Sequence, residues 1–300
     1  MIDKKTPVDW IFDIFIYIIC GLFALLCAFP FYYILINTIS DNYLVMTGRI
    51  IFFPRGLHLE NYVNVFQLQG LSNAAFISFS RTLIGTIFTL IATSFLGYCM
   101  SKKEYWHRTF WYRFIIITMY FNAGLIPWFL TMRNLGLINS FWAYVLPAFT
   151  GPFYIILIKT YLESIPPALE ESAQIDGAGY LRRFTTIILP MSKPILATVA
   201  IFAAVGQWNS FMDTVFLITR ESLYTLQYVL YKYLSETQQI AALIRRSAEI
   251  AHTEANIARM MTPMAVRYTV TAITVMPILL VYPFFQKYFV KGIMLGAVKG

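Results

Sequence analysis

Two groups of residues in this 300-residue chain carry polar side chains at informative intervals. The first is a polar island, Ser164 to Pro194, set between apolar runs. Glu170 and Glu171 stand side by side in it, followed by Asp176-Gly177 and Arg182-Arg183. A carboxylate on a short rigid element makes charge-assisted hydrogen bonds to a basic partner, and such bonds fix orientation. The second group is Gln207, Trp208, Asn209 and Asp213, in an otherwise apolar run. Asn209 and Asp213 are four apart, so an unbroken helix would put them on one face. Amide, carboxylate and aromatic ring together suit non-covalent recognition. Polar groups in such a run face a cavity or hydrogen-bond to neighbouring helices, and the sequence leaves both readings open. Asn122 and Tyr120 are weaker candidates of the same kind. Arg81, at the start of an apolar run, either snorkels outward or pairs with Asp213.

Bond-breaking chemistry finds little support. There is no G-x-x-x-x-G-K-[ST] phosphate loop and no H-E-x-x-H pair. The three histidines, His58, His107 and His252, lie in three different loops, and no metal-ligand set or nucleophile–base cluster stands out. Cys20 and Cys27 are seven residues apart, about 10 Å of helical rise, which is too far for a disulfide. These two and Cys99 read as small buried hydrophobes.

The elements that position these groups follow from composition. Hydrophobic residues make up 58% of the chain and charged residues only 13%, against about 25% charged in soluble domains. Mean hydropathy is +0.63. The expected class is an all-α integral membrane protein. A net charge of +8 does not imply nucleic acid, because the basic residues cluster at the ends of apolar runs and form no basic stripe with interleaved aromatics. Six apolar runs each approach the ~20 residues that cross a bilayer, and in lipid such runs are helical. The expected spans are 10–37, 74–101, 109–132, 136–159, 195–218 and 265–288. The first run is too long for a cleavable signal peptide and lacks a small-residue cleavage site.

Loop charge sets the orientation. Lys102, Lys103, Arg108 and Arg113 follow the second span, Lys159, Arg182, Arg183 and Lys193 flank or lie in the polar island, and Lys4, Lys5, Lys287, Lys291 and Lys299 mark the ends. The termini (1–9 and 289–300) and the loop 163–194 are therefore expected in the cytoplasm. Segments 38–73 and 219–264 are expected outside. In the first, Phe53-Pro54-Arg55-Gly56 reads as a turn and Leu59 to Phe66 as a short amphipathic helix. In the second, Leu223, Leu226, Leu230, Tyr233 and Leu234 fall at helical spacing, continued less regularly by Ile240, Leu243 and Ile250. This outer segment either caps the spans or receives a partner.

Within the polar island, Ser164 is a candidate N-cap, and Pro166 and Pro167 suit a first helical turn. Asp176-Gly177 reads as a turn, with Asp176 as a local cap and Gly177 chosen for its conformation. A second short helix is expected to stop at Pro190.

Glu171-Ser172-Ala173, Asp176-Gly177-Ala178, Phe184, Ile187, Leu189-Pro190 and Pro194 together resemble the E-A-A motif of ABC-importer permeases, in which a glycine precedes I-x-L-P by nine residues. Ser172 departs from the usual alanine, but a small residue still fits a tight helix interface. Leu59-Glu60-Asn61-Tyr62, Gly124-Leu125-Ile126-Pro127, Leu135-Gly136-Leu137-Ile138-Asn139, Trp208-Asn209-Ser210-Phe211 and the ending Gln286 to Gly300 are similar to the carbohydrate branch. The Gly-Leu-Ile-Pro segment and the long 220–262 loop resemble most the subgroup for complex oligosaccharides.

The resemblance implies a non-catalytic subunit of a bacterial plasma-membrane importer, without a cofactor of its own. Its implied partners are a homologous second permease, two ATPase subunits that bind ATP and Mg, an extracytoplasmic solute-binding protein, and a sugar or oligosaccharide. Glu170, Glu171, Ala173, Asp176, Gly177, Ala178, Phe184, Leu189 and Pro190 would then form the ATPase-coupling element. Asn209, Trp208, Asp213, Asn122 and Tyr120 would be candidates for the substrate path, since aromatic faces, amides and carboxylates bind sugars. A secondary transporter would call for inverted repeats and mid-membrane charges, a membrane enzyme for a convergent catalytic set, and a permease for a non-sugar solute for a different tail.

Overall fold

A computed structural model describes residues 7–67, 70–235 and 262–297. All regular structure among them is helical. Three helices are long and apolar enough to cross a membrane, and six spans result if each of three bent pairs counts as one. The chain divides into two compact units, 1–68 with 232–275, and 69–231 with 276–300.

In the first unit, α1 (Pro7–Thr38) is a 32-residue helix. Its apolar side chains from Val8 to Leu26 lie exposed, Cys20 and Cys27 among the exposed residues. Those cysteines are thus surface groups and not buried hydrophobes, because no helix of the described chain covers this stretch. A compact turn follows. Asp41 Oδ1 accepts hydrogen bonds from Tyr43 and Leu44 N at 2.9 and 3.2 Å, capping α2 (Asn42–Met46). α3 (Glu60–Phe66) forms where the sequence predicts a short helix. Its buried Asn61 donates through Nδ2 to Thr38 O and Asn42 Oδ1, both at 2.9 Å, which ties α3 to the end of α1. α15 (Pro263–Ala297) begins in this unit, where Tyr268 meets the Tyr33 ring edge-on.

The second unit is built along α4 (Leu71–Ser101), against which α8 (Pro152–Leu162) and α12 (Lys193–Asn209) pack. Two apolar clusters sit on it. One gathers Ile77, Met132, Leu137, Tyr144, Val145 and Leu217; the other gathers Tyr98, Ile158, Leu162, Phe184, Ile195 and Val199. Ile77 and Tyr98 are 21 residues apart on α4, so the clusters stand about 30 Å apart along the helix, the thickness of a hydrocarbon core.

The other apolar runs are bent. Residues 109–132 form α5 (Arg108–Tyr120) and α6 (Leu125–Asn134), which meet at 115°. At that break Asn122 Oδ1 accepts from Gly124 N at 2.9 Å. Residues 136–159 contain α7 (Trp142–Val145), continued by a short 3-10 turn, and then α8 after a 48° bend at Gly151-Pro152. The run after α12 breaks at Ser210, whose ψ of 130° is extended, and resumes as α13 (Met212–Leu217). Asn209 and Asp213 therefore lie on two helices, and the shared-face argument from their spacing does not hold. A helix at 226–235, α14, carries Leu226, Leu230, Tyr233 and Leu234; Ile240, Leu243 and Ile250 lie outside the described residues.

Candidate functional site

The polar island folds as a helical knob: α9 (Ala168–Ile175), α10 (Tyr180–Arg183), a π turn (Phe184–Ile188) and α11 (Leu189–Met191). Ser164 does not cap α9. Its hydroxyl donates to Tyr161 O at 2.6 Å, because Pro166 and Pro167 separate it from the first helical residue. Glu170 and Glu171 occupy the first turn of α9, where the helix dipole favours negative charge. α9 ends in a Schellman motif. Ala178 N donates to Ala173 O at 2.9 Å and Gly177 N to Gln174 O at 3.0 Å, with Gly177 at φ +78°. Asp176 is the last residue before this turn, and its role there is through its backbone. Chain direction does not change at Pro190. Leu189 stays helical at φ −58°, ψ −47°, and the π turn just before it absorbs the irregularity. The bend of 80° falls at Ser192, between α11 and α12.

The two glutamates face opposite ways. Glu170 turns inward: Tyr98 Oη donates to it at 2.6 Å, Lys102 Nζ pairs with it, and Arg183 Nη1 lies 3.8 Å away. Burial opposes its ionisation, but the bonds from Lys102 and Tyr98 and the Lys102 and Arg183 charges outweigh this and hold its carboxyl below the ordinary value. Buried Arg183 also donates to Gln174 Oε1 at 2.9 Å and lies over the Tyr180 ring, so α9 and α10 are cross-braced. Phe184 packs on Tyr98 and Phe95. Glu163, just before the knob, pairs with Arg108 and with Lys159. Glu171 instead points to solvent, beside an apolar surface of Leu169, Ile175 and Leu181; Ile175 is 87% exposed. Ala173 and Ala178 are half-buried and Pro190 is exposed. A rigid knob anchored by Glu170 thus presents apolar side chains and the exposed carboxylates of Glu171 and Asp176.

At the other end of α4 a cavity of about 760 Å³ opens. Its wall is a buried polar network. Arg81 is 2% exposed and pairs with Asp213 through Nη1–Oδ1 at 3.1 Å and Nη2–Oδ2 at 2.5 Å. The sequence's open choice for Arg81 is settled for pairing. Arg81 also donates to Gln207 Oε1 from Nε and Nη2, at 3.2 and 3.1 Å, and to Ser210 O at 3.2 Å. That last carbonyl has no helical partner because the chain breaks there, so α4 supplies the cap that α12 lacks. The guanidinium lies 4.3 Å from the Tyr144 ring centroid. Gly85 on α4 makes room for this arrangement: a Cβ there would stand 2.6 Å from Gln207 Nε2. Asn122, Trp128 and Tyr154 complete the polar and aromatic lining.

The sequence-predicted path residues separate in the structure. Asp213 and Asn122 line the cavity. Trp208 lines a different apolar groove with Pro277 and Ile278. Asn209 is exposed and accepts a hydrogen bond from Gln227 at 3.2 Å. Tyr120 is 82% exposed on α5. Sequence reasoning missed Tyr144, Trp128, Tyr154 and Ser210. Arg81 within an apolar run was the available signal for Ser210 and Tyr144, since a buried cation collects acceptors and rings around it; nothing in the sequence marks Trp128 or Tyr154. Among the described residues no group of His, Cys, Asp and Glu could hold a metal ion.

Comparison with known proteins places this architecture. Residues 93–295 match the family of binding-protein-dependent transport system inner membrane components. The chain belongs to that family and is the permease component of an ABC importer. It is 32% identical to the polygalacturonan/rhamnogalacturonan transport system permease protein YtcP of Bacillus subtilis, over 97% of this chain and 99% of that protein. It is 33% identical to protein LplC of the same organism, over 99% of this chain and 97% of that one. Among solved structures, a chain of a bacterial ABC transporter involved in the import of the acidic polysaccharide alginate aligns with a TM-score of 0.82 and 29% identity, covering 95% of this chain and 99% of that one.

Proposed function

We propose that this chain forms half of the translocation path of an ATP-driven sugar or oligosaccharide importer in a bacterial cell membrane. It spans the membrane six times, with both termini and the 163–194 knob in the cytoplasm. The partners are a homologous second permease, two ATPase subunits that bind ATP and Mg, and an extracytoplasmic solute-binding protein. The observation that carries the coupling role is the path of α12. It starts at the knob, packs along α4, and ends at Ser210 in the cavity wall. Its 17 residues form a strut of about 25 Å. A push on the exposed face of α9, at Glu171 and Ile175, passes through α10 and α11 into α12, and along it to Gln207, which shares Arg81 with Asp213.

Glu171, Ala173, Gly177 and Ala178 are read as the contact and turn that meet an ATPase subunit, with Glu170, Asp176, Phe184, Leu189 and Pro190 holding the knob's shape. Asp213 and Asn122 belong to the sugar path through the cavity. Trp208, Asn209 and Tyr120 remain candidates where a second subunit completes the path. The carbohydrate cargo is supported by relatives named for polysaccharide and arabinooligosaccharide transport.

Copurification with the partner permease and ATPases, followed by reconstitution with the binding protein, tests this reading. ATP-dependent accumulation of a labelled oligosaccharide is expected. A complex that accumulates only non-carbohydrate solutes refutes the cargo.

A further inference from the structure

The cavity beside α4 is lined by two charged residues, Arg81 and Asp213, and they neutralise each other. Every N–H of Arg81 is engaged: Nε by Gln207, Nη1 by Ser210 O and Asp213, Nη2 by Gln207 and Asp213. Both Asp213 oxygens are likewise taken, Oδ1 also by Thr214 N and Oδ2 also by Ser210 Oγ. Gln207 Nε2 donates to Tyr144 O, Tyr144 Oη to Leu223 O, and Thr89 to Ala148 O. Among the described residues this polar wall is closed upon itself except for the second Nε2 hydrogen of Gln207, on a side chain that is itself buried.

The groups that remain open lie elsewhere on the lining. Asn122 uses only its Oδ1, on Gly124 N, and its Nδ2 meets no acceptor among the described residues. Tyr154 Oη and the Trp128 indole N–H make no hydrogen bond among the described residues either. The Tyr154 ring lies against Gly151, where a Cβ would come within 2.7 Å of it. Two aromatic side chains and one amide, with three polar groups that make no hydrogen bond among the described residues, therefore line one chamber.

We infer that Trp128, Tyr154 and Asn122 form a subsite in this subunit for a neutral pyranose unit, which the rings receive on its C–H face and Asn122 holds at a hydroxyl. This inference rests on the carbohydrate reading above. A uronate gains nothing from this wall. Its carboxylate would have to displace Asp213 from Arg81 and leave Asp213 without its counter-ion. Recognition of acidic units falls to other parts of the path.

Saturation-transfer difference NMR on the detergent-purified transporter, this chain with its partner permease and ATPases, reads the contact without the binding protein. Maltotriose and cellotriose serve as neutral probes and trigalacturonate as the acidic one. The neutral sugars are expected to show saturation of ring C–H protons. Trp128→Ala should weaken this about five- to tenfold, the scale of one lost ring contact. Trp128→Phe should keep most of it, and Asn122→Ala should lower it with an unchanged thermal midpoint. Signals in the wild type that none of these variants alters overturn the subsite alone, as does saturation stronger for trigalacturonate than for the neutral sugars. Absence of signal from every sugar with the wild type overturns the subsite and counts against the carbohydrate reading as well.

Discussion

Replacing Arg81 by Met removes the one cation from the cavity wall while keeping most of the side-chain volume. Asp213, with a side chain 14% exposed, then loses its counter-ion. Gln207 Oε1 and Ser210 O lose their donors as well. Breaking a buried pair from one side costs about 3–5 kcal/mol, a factor of roughly 10² to 4 × 10³ in the folding equilibrium. Asp213→Leu strands the guanidinium in the same way and should cost a similar amount. The double variant Arg81→Met/Asp213→Leu leaves no stranded charge and should lie within about 2 kcal/mol of the wild type, since an apolar replacement of a whole pair is often near neutral. Denaturation in mixed detergent micelles measures all three against the wild type and closes the cycle. If the double variant is destabilised by the sum of the two single losses, Arg81 and Asp213 do not act as a pair and the closed-wall argument fails.

The knob yields three further expectations. Gly177→Ala places a Cβ at φ +78° and should destabilise the α9 turn by about 1–2 kcal/mol, seen as faster proteolysis between α9 and α10, whereas Gly177→Asn should be milder; equal rates for all three proteins contradict the Schellman geometry. Glu170 has a folded-state pKa below its ordinary value, so the unfolded chain takes up its proton more readily. Its stabilising contribution is fully present above the unfolded pKa, near 4.3, and is lost as pH falls through the folded value. Thermal midpoints of the wild type should therefore fall more steeply below pH ~4 than those of Glu170→Gln, and parallel profiles contradict the Lys102–Tyr98 anchor. Ile175→Asp, on the exposed apolar face, should leave the fold intact and reduce recovery of ATPase subunits on copurification; full recovery removes that face from the interface.

The helical class and the family were legible because both depend on local signals: long apolar runs, loop charge, and the Gly177 to Pro190 spacing. The bends were not. An apolar run reads as one helix whether or not it breaks, and the break after α12 is capped at Ser210 O by the Arg81 side chain from another helix, 129 residues away. For the same reason Asn209 and Asp213 looked like neighbours and are not. Glu170 and Glu171 are indistinguishable by type. Only the tertiary placement of Tyr98, Lys102 and Arg183 makes one an anchor and leaves the other free. Pro190 reads as a stop until the π turn ahead of it is known. Trp128 and Tyr154 are two among many aromatics, and only the cavity singles them out.

The central claim is that the exposed face of α9 receives the work of ATP hydrolysis and passes it along α12 to the cavity. Its most direct test is the ratio of oligosaccharide taken up to ATP hydrolysed in proteoliposomes containing the complete transporter, wild type against Glu171→Lys. Continued hydrolysis with uptake reduced to background is predicted, with the variant present in the membrane at the wild-type level. An unchanged ratio would contradict the account.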